Sequence, residues 1–130
     1  MNAILRRAAA VFFALHGLIH LMGFVAAWQL ATLPELAYRT TAFNGAVEIG
    51  DGGARVVGIA WLIGVAAFLV AAWGLWRNAS WALRGAVVAA AVSAGICAAG
   101  FPDASLGVVI LVGAAVLVMG RSGRPGLPAR

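Results

Sequence analysis

Two histidines four residues apart stand out in an otherwise apolar stretch. His16-Gly17-Leu18-Ile19-His20 places both imidazoles on one face of any helix that forms there. Such a pair can chelate a metal ion. Either ring can also serve as an axial haem ligand, bond a quinone or sterol-like headgroup, or relay a proton. The plainer alternative is that each neutral ring bonds a neighbouring helix and acts as polar glue. Cys97, the single cysteine, counts to a similar depth in a later apolar run, so a His16–His20–Cys97 metal site is geometrically open. It has no second cysteine and no embedded carboxylate to complete it, and a free cysteine also packs well as a small buried residue. No metal, haem or other cofactor is firmly implied.

Other polar residues suggest smaller roles. Asp103 follows Pro102 and reads as an N-cap or a solvated acid; the sharper alternative pairs it with Arg55 or His20, in a ligand-binding role with His16 and His20. Asp51 and Arg55 are one helical turn apart, and Arg39 and Glu48 face each other across an expected hairpin. Both pairs are expected to be structural ion pairs. There is no Gly-rich phosphate loop, Ser–His–Asp set or CxxC motif, so no catalytic residue is assigned.

The elements that must position these residues follow from composition. Of 130 residues, 64% are apolar and only 10% are charged, against about a quarter charged in soluble domains. That excludes a soluble domain, a disordered chain and a disulfide scaffold, and leaves an integral membrane protein. A spanning helix needs about 20 apolar residues. Four runs qualify, at about 8–31, 56–76, 82–100 and 104–120, within one membrane domain over 1–121. His16 and His20 then lie roughly 13 and 20 Å into the membrane, where ionisable groups are costly. Residues 122–130, rich in Pro, Gly and Arg, are expected to form a disordered cytoplasmic tail.

The net charge of +5 comes from nine arginines and no lysine. They form no patch interleaved with polar residues, which argues against nucleic acid as a partner. They flank the apolar runs instead. With the N-terminus inside, Arg6, Arg7, Arg77, Arg84, Arg121, Arg124 and Arg130 are cytoplasmic, and Arg39 and Arg55 are outside. Seven against two orients the bundle with both termini in the cytoplasm. Trp28 and Trp61 are expected at outer helix ends, and Trp73, Trp76 and Trp81 at inner ones. Residues 6–27 imitate a signal peptide, but the apolar run is too long and the histidines interrupt it, so an uncleaved span is expected.

The segment 32–54 is the one long polar loop. Asn44-Gly45 separates two runs rich in β-branched and aromatic residues, which predicts a small extracytoplasmic β-hairpin over about 37–50, turning through a type I′ turn and resting on helix ends. The Asn78-Ala79-Ser80 sequon lies in the short inner loop and is discounted as a glycosylation site. Gly58 and Gly64, the Ala91–Gly95 pair and Gly113 are small residues that let helices approach.

The combination of His-Gly-Leu-Ile-His in the first span, Gly50-Asp51 with Arg55 before the second and Pro102-Asp103-Ala104 before the fourth resembles small bacterial four-helix membrane proteins without an assigned activity. In size and helix count the chain is also similar to DoxX-like membrane proteins, a likeness of topology that carries no residue roles. The resemblance implies the bacterial cytoplasmic (inner) membrane. Small four-helix multidrug exporters depend on an acidic residue in the first helix. None lies there in this chain. The expected fold is an all-α bundle of four transmembrane helices. The expected function is non-enzymatic binding or accessory work among lipids, as a homo-oligomer or within a larger membrane complex. The alternatives are a redox, metal-, haem- or quinone-binding protein using His16 and His20, and a small transporter or permease component.

Overall fold

The computed structural model describes residues 2–34 and 36–99. The order of elements is α1 (Ala3–Ala27), β1 (Thr41–Ala42), β2 (Val47–Glu48), α2 (Gly50–Arg77) and α3 (Ala82–Ala99). All three helices are long and apolar enough to cross a membrane. The expected fourth span at 104–120, the tail, Asp103 and Gly113 lie outside the described residues.

Each helix is bounded by local chemistry. The Asn2 side chain accepts a hydrogen bond from the Leu5 amide, so α1 begins at Ala3, five residues before its expected start, and carries Arg6 and Arg7 within it. Arginine is a good helix former, so charge alone does not stop the helix. At the other end Gln29 adopts a left-handed φ of 52°, and the Leu30 and Gln29 amides bond the Val25 and Ala26 carbonyls. That is a Schellman closure, and it ends α1 at Ala27 rather than near 31. Asn78, with φ of 57°, closes α2 in the same way, the Ala79 amide bonding Gly74 at 2.9 Å. The asparagine of the sequon is thus a helix terminator.

Helix α2 starts at Gly50, six residues earlier than expected, despite three glycines in its first turn. Each such glycine costs about 1 kcal/mol relative to alanine. The hairpin offsets this. The Ile49 and Gly50 amides both bond the Thr40 carbonyl, at 2.8 and 3.0 Å, and the Glu48 carboxylate accepts from the Gly50 amide at 3.2 Å. Carboxylates at Glu48 and Asp51 also suit the positive end of the helix dipole.

The hairpin is antiparallel, with Thr41 opposite Glu48 and Ala42 opposite Val47. Asn44 and Gly45 have φ of 58° and 84°, as a type I′ turn requires, and the Ala46 amide bonds the Phe43 carbonyl at 3.2 Å. The ladder is shorter than the turn alone predicts. Phe43 is itself left-handed, at 51°, and its amide bonds the carbonyl of Ala99 at the end of α3. The hairpin therefore rests on a helix end, as expected, with a four-residue loop at 43–46.

Helices α1 and α3 pack against α2, around a core of Ala10, Phe68, Ala71, Leu75, Ala82, Ala86 and Ala89. Glycines admit aromatic rings from facing segments. A Cβ built on Gly17 would lie 2.7 Å from the Phe68 Cβ, and one on Gly23 would lie 2.4 Å from the Trp61 ring. Gly58 sits under Trp28 and Gly74 under Trp81 in the same manner. Gly58 and Gly64 thus seat rings, whereas Gly95 has open space beside it and Ala91 is exposed. Trp61, expected at an outer helix end, is half-buried, and its ring packs on His20 and Gly23.

Candidate functional site

The i, i+4 spacing does what helix geometry requires, and both histidines turn inward. His16 is 6% exposed and His20 only 2%. Their rings meet edge to face at 5.1 Å, and both lie against Phe68, at 4.9 and 5.1 Å. Phe12 stacks on the far side of His16. Gly64 provides the space for His20, because a Cβ there would approach the His20 Cδ2 to 2.7 Å.

The hydrogen bonds of His20 define its tautomer. Its Nδ1 lies 3.1 Å from the His16 carbonyl oxygen, which can only accept, so Nδ1 carries the proton. In the neutral ring, Nε2 is then an acceptor, and the Ser93 hydroxyl donates to it at 2.9 Å. With its proton so placed, the Ser93 oxygen is free to accept from the Cys97 thiol, 3.9 Å away. The result is a directed chain, Cys97 to Ser93 to His20 to the His16 carbonyl, joining α3 to α1. His16 is different: its Nε2 is buried with no hydrogen-bond partner among the described residues.

This geometry bears on the metal reading of His16, His20 and Cys97. Among the described residues no group of three His, Cys, Asp or Glu side chains is placed to hold a metal ion. The physical reason is that Ser93 stands between His20 and Cys97 and uses the lone pair that a metal would need. Ser93, fully buried, was not singled out in the sequence. The signal was available. It is a hydroxyl in an apolar run, one turn before the lone cysteine.

Three of the four residues assigned to ion pairs, Glu48, Asp51 and Arg55, lie at the start of α2. The Tyr38 hydroxyl donates to Asp51 at 2.5 Å. That bond to the carboxylate, with some desolvation, raises the Tyr38 pKa above the ordinary tyrosine value. Arg55 lies over Trp28, 5.9 Å from the ring centroid, and the Trp28 indole donates to the Arg55 carbonyl at 3.2 Å. Asp51 thus binds Tyr38 rather than Arg55. The register sets Thr41, not Arg39, opposite Glu48, whose carboxylate serves the Gly50 amide.

Between this cluster and the histidines lies a cavity of about 90 Å³. Gly23, Tyr38, Arg39, Thr41, Trp61 and Ala99 are among its walls. Trp61 belongs to both regions: it lines the cavity, and its ring meets His20 at 5.0 Å. The site thus has two storeys, a small mixed-polarity cavity under the hairpin and a closed polar chain beneath it, with one indole between them. No protein-family profile, curated protein or solved structure matches the chain.

Proposed function

We propose that this chain is a non-enzymatic binding or accessory protein of the bacterial cytoplasmic membrane. In this reading it is a four-span bundle with both termini in the cytoplasm, the fourth span formed by residues 104–120. The observation that carries the reading is the state of His20. Both of its ring nitrogens are engaged by the protein, at 3.1 and 2.9 Å, and Ser93 is likewise engaged. An acid–base or nucleophilic group needs a free position toward its substrate. His20 instead ties α1 to α3, and interhelical bonds of this kind average about 0.6 kcal/mol and reach about 2 kcal/mol in membranes. The cavity beneath the hairpin gives binding a place, with Trp61 as the wall that would report occupancy.

Two experiments test this. Cysteine labelling at Asn44 and Ser122 should occur from opposite sides of the membrane; labelling from one side overturns the four-span topology. His20→Ala should lower thermal stability in detergent and leave the purified protein colourless and metal-free, as the wild type is expected to be.

A second reading has its own observation. The buried Nε2 of His16, without a partner among the described residues, is what an axial haem ligand, a metal ligand or a donor to a quinone carbonyl would present. It expects a Soret band, stoichiometric metal or co-purified quinone that is lost in His16→Ala. A small transporter component ranks third, because a bundle of this size has little room for a path unless it oligomerises. It requires solute or proton flux in liposomes that His20→Ala abolishes.

A further inference from the structure

The end of the bundle opposite the hairpin gathers cations with no counter-charge among the described residues. Arg6 and Arg7 lie near the start of α1, Arg77 ends α2, and Arg84 lies in the first turn of α3. The carboxylates of the described residues, Glu48 and Asp51, belong to the opposite end. Asp51 and Arg77 are separated by about 39 Å of helix. That is several times the screening length of about 8 Å at physiological salt, so neither acid neutralises these arginines.

Tryptophans hold two of these cations in place. The Arg7 guanidinium lies 5.6 Å from the Trp76 centroid, and that of Arg77 lies 5.3 Å from Trp73. Trp81 packs over Gly74, which joins the start of α3 to the same cluster. Trp73, Trp76 and Trp81 are 61%, 52% and 44% exposed. Arg7, Arg77 and Arg84 are exposed too. A guanidinium fixed over an indole keeps a planar fork of N–H donors that suits two oxygens of a phosphodiester. Toward the middle of the helices, the exposed side chains are apolar, including Val70, Val87 and Val88.

We propose that this arginine–tryptophan end is a binding surface for anionic phospholipid headgroups. The arginines pair with the phosphate, the indoles lie at headgroup level, and the apolar shafts take the acyl chains. The surface recognises an anionic lipid in whichever leaflet it meets one, so it does not depend on the topology proposed above.

The test uses the full chain in phosphatidylcholine bilayers with a fraction of brominated lipid, read by quenching of tryptophan fluorescence. At low salt, brominated phosphatidylglycerol should compete for the protein several-fold better than brominated phosphatidylcholine. Each exposed arginine contributes roughly fivefold at most. The preference should shrink toward unity near 1 M salt and fall in Arg7→Gln/Arg77→Gln, while Arg55→Gln, at the other end, keeps it. Should the double variant not fold, Arg84→Gln alone, with the salt series, decides the matter. Equal quenching by the two lipids in the wild type overturns the proposal. So does a preference that salt or these arginine substitutions leave unchanged. Millimolar inorganic phosphate should leave the preference intact; its abolition by phosphate reassigns the surface to free anions and also overturns the lipid reading.

Discussion

Helix α1 makes two contacts built on different principles, a long seam with α2 and a point seam with α3 at His20. Between α1 and α2, contact is steric: glycines accept rings, as where Gly17 meets Phe68 and Gly23 meets Trp61. Between α1 and α3, the contact of note is chemical: His20 bonds Ser93, with Cys97 behind it. In a membrane, as three helices of spanning length allow, lipid tails would give neither seam a hydrophobic advantage, and close packing and hydrogen bonds would do the work. The difference is that the steric seam tolerates no added atom, whereas the polar seam depends on a few donors and acceptors.

The largest expected effect tests the steric seam. Phe68 is completely buried and touches both histidines, so Phe68→Ala should cost about 3–5 kcal/mol. Gly23→Leu should be comparably harmful, because its Cβ would enter the Trp61 ring. Thermal unfolding in detergent measures both, and a wild-type melting point for either would mean that the rings are not seated as described.

The polar seam should respond less. Ser93→Ala leaves the His20 Nε2 without its donor and should cost about 1 kcal/mol. Cys97→Ala, which removes only the longer 3.9 Å contact and a small apolar body, should cost less than Ser93→Ala. The reverse order would place the weight of this seam on the thiol. A double-mutant cycle on His20 and Ser93 should yield coupling within the membrane range of about 0.6–2 kcal/mol.

The smallest effect lies outside both seams, at the Tyr38–Asp51 bond. The tyrosine pKa is raised by its bond to Asp51, so the protonated hydroxyl is favoured in the folded protein. Its contribution is fully present below the ordinary tyrosine value of about 10 and is lost as pH rises through the higher folded value. A melting-temperature profile into the alkaline range should show this leg in the wild type and not in Tyr38→Phe. An unchanged profile in Tyr38→Phe would assign the alkaline loss to another group.

These features were unequally visible in the sequence. The apolar runs, the shared face of His16 and His20 and the Asn44-Gly45 turn follow from periodicity and backbone sterics, which are local. The early starts of α1 and α2 were hidden because Arg6, Arg7 and three glycines read as boundaries, while the Asn2 cap and the Thr40 carbonyl decide otherwise. Ser93 as the partner of His20 was hidden for another reason. The two are 73 residues apart, and only the packing of α1 and α3 on α2 brings them together. Similarly, the seat of Trp61 on Gly23 was hidden because hydropathy cannot tell which neighbour an indole faces.

The bond from the Phe43 amide to the Ala99 carbonyl links the hairpin to the last residue of α3. A two-stranded hairpin of this length has little persistence of its own. The docked end of α3 therefore supports the closure of the hairpin, although the hairpin precedes that helix in the chain. Exchange of the Phe43 amide with solvent deuterium should consequently report the docking of α3: fast while that helix is apart, slow once its end is in place.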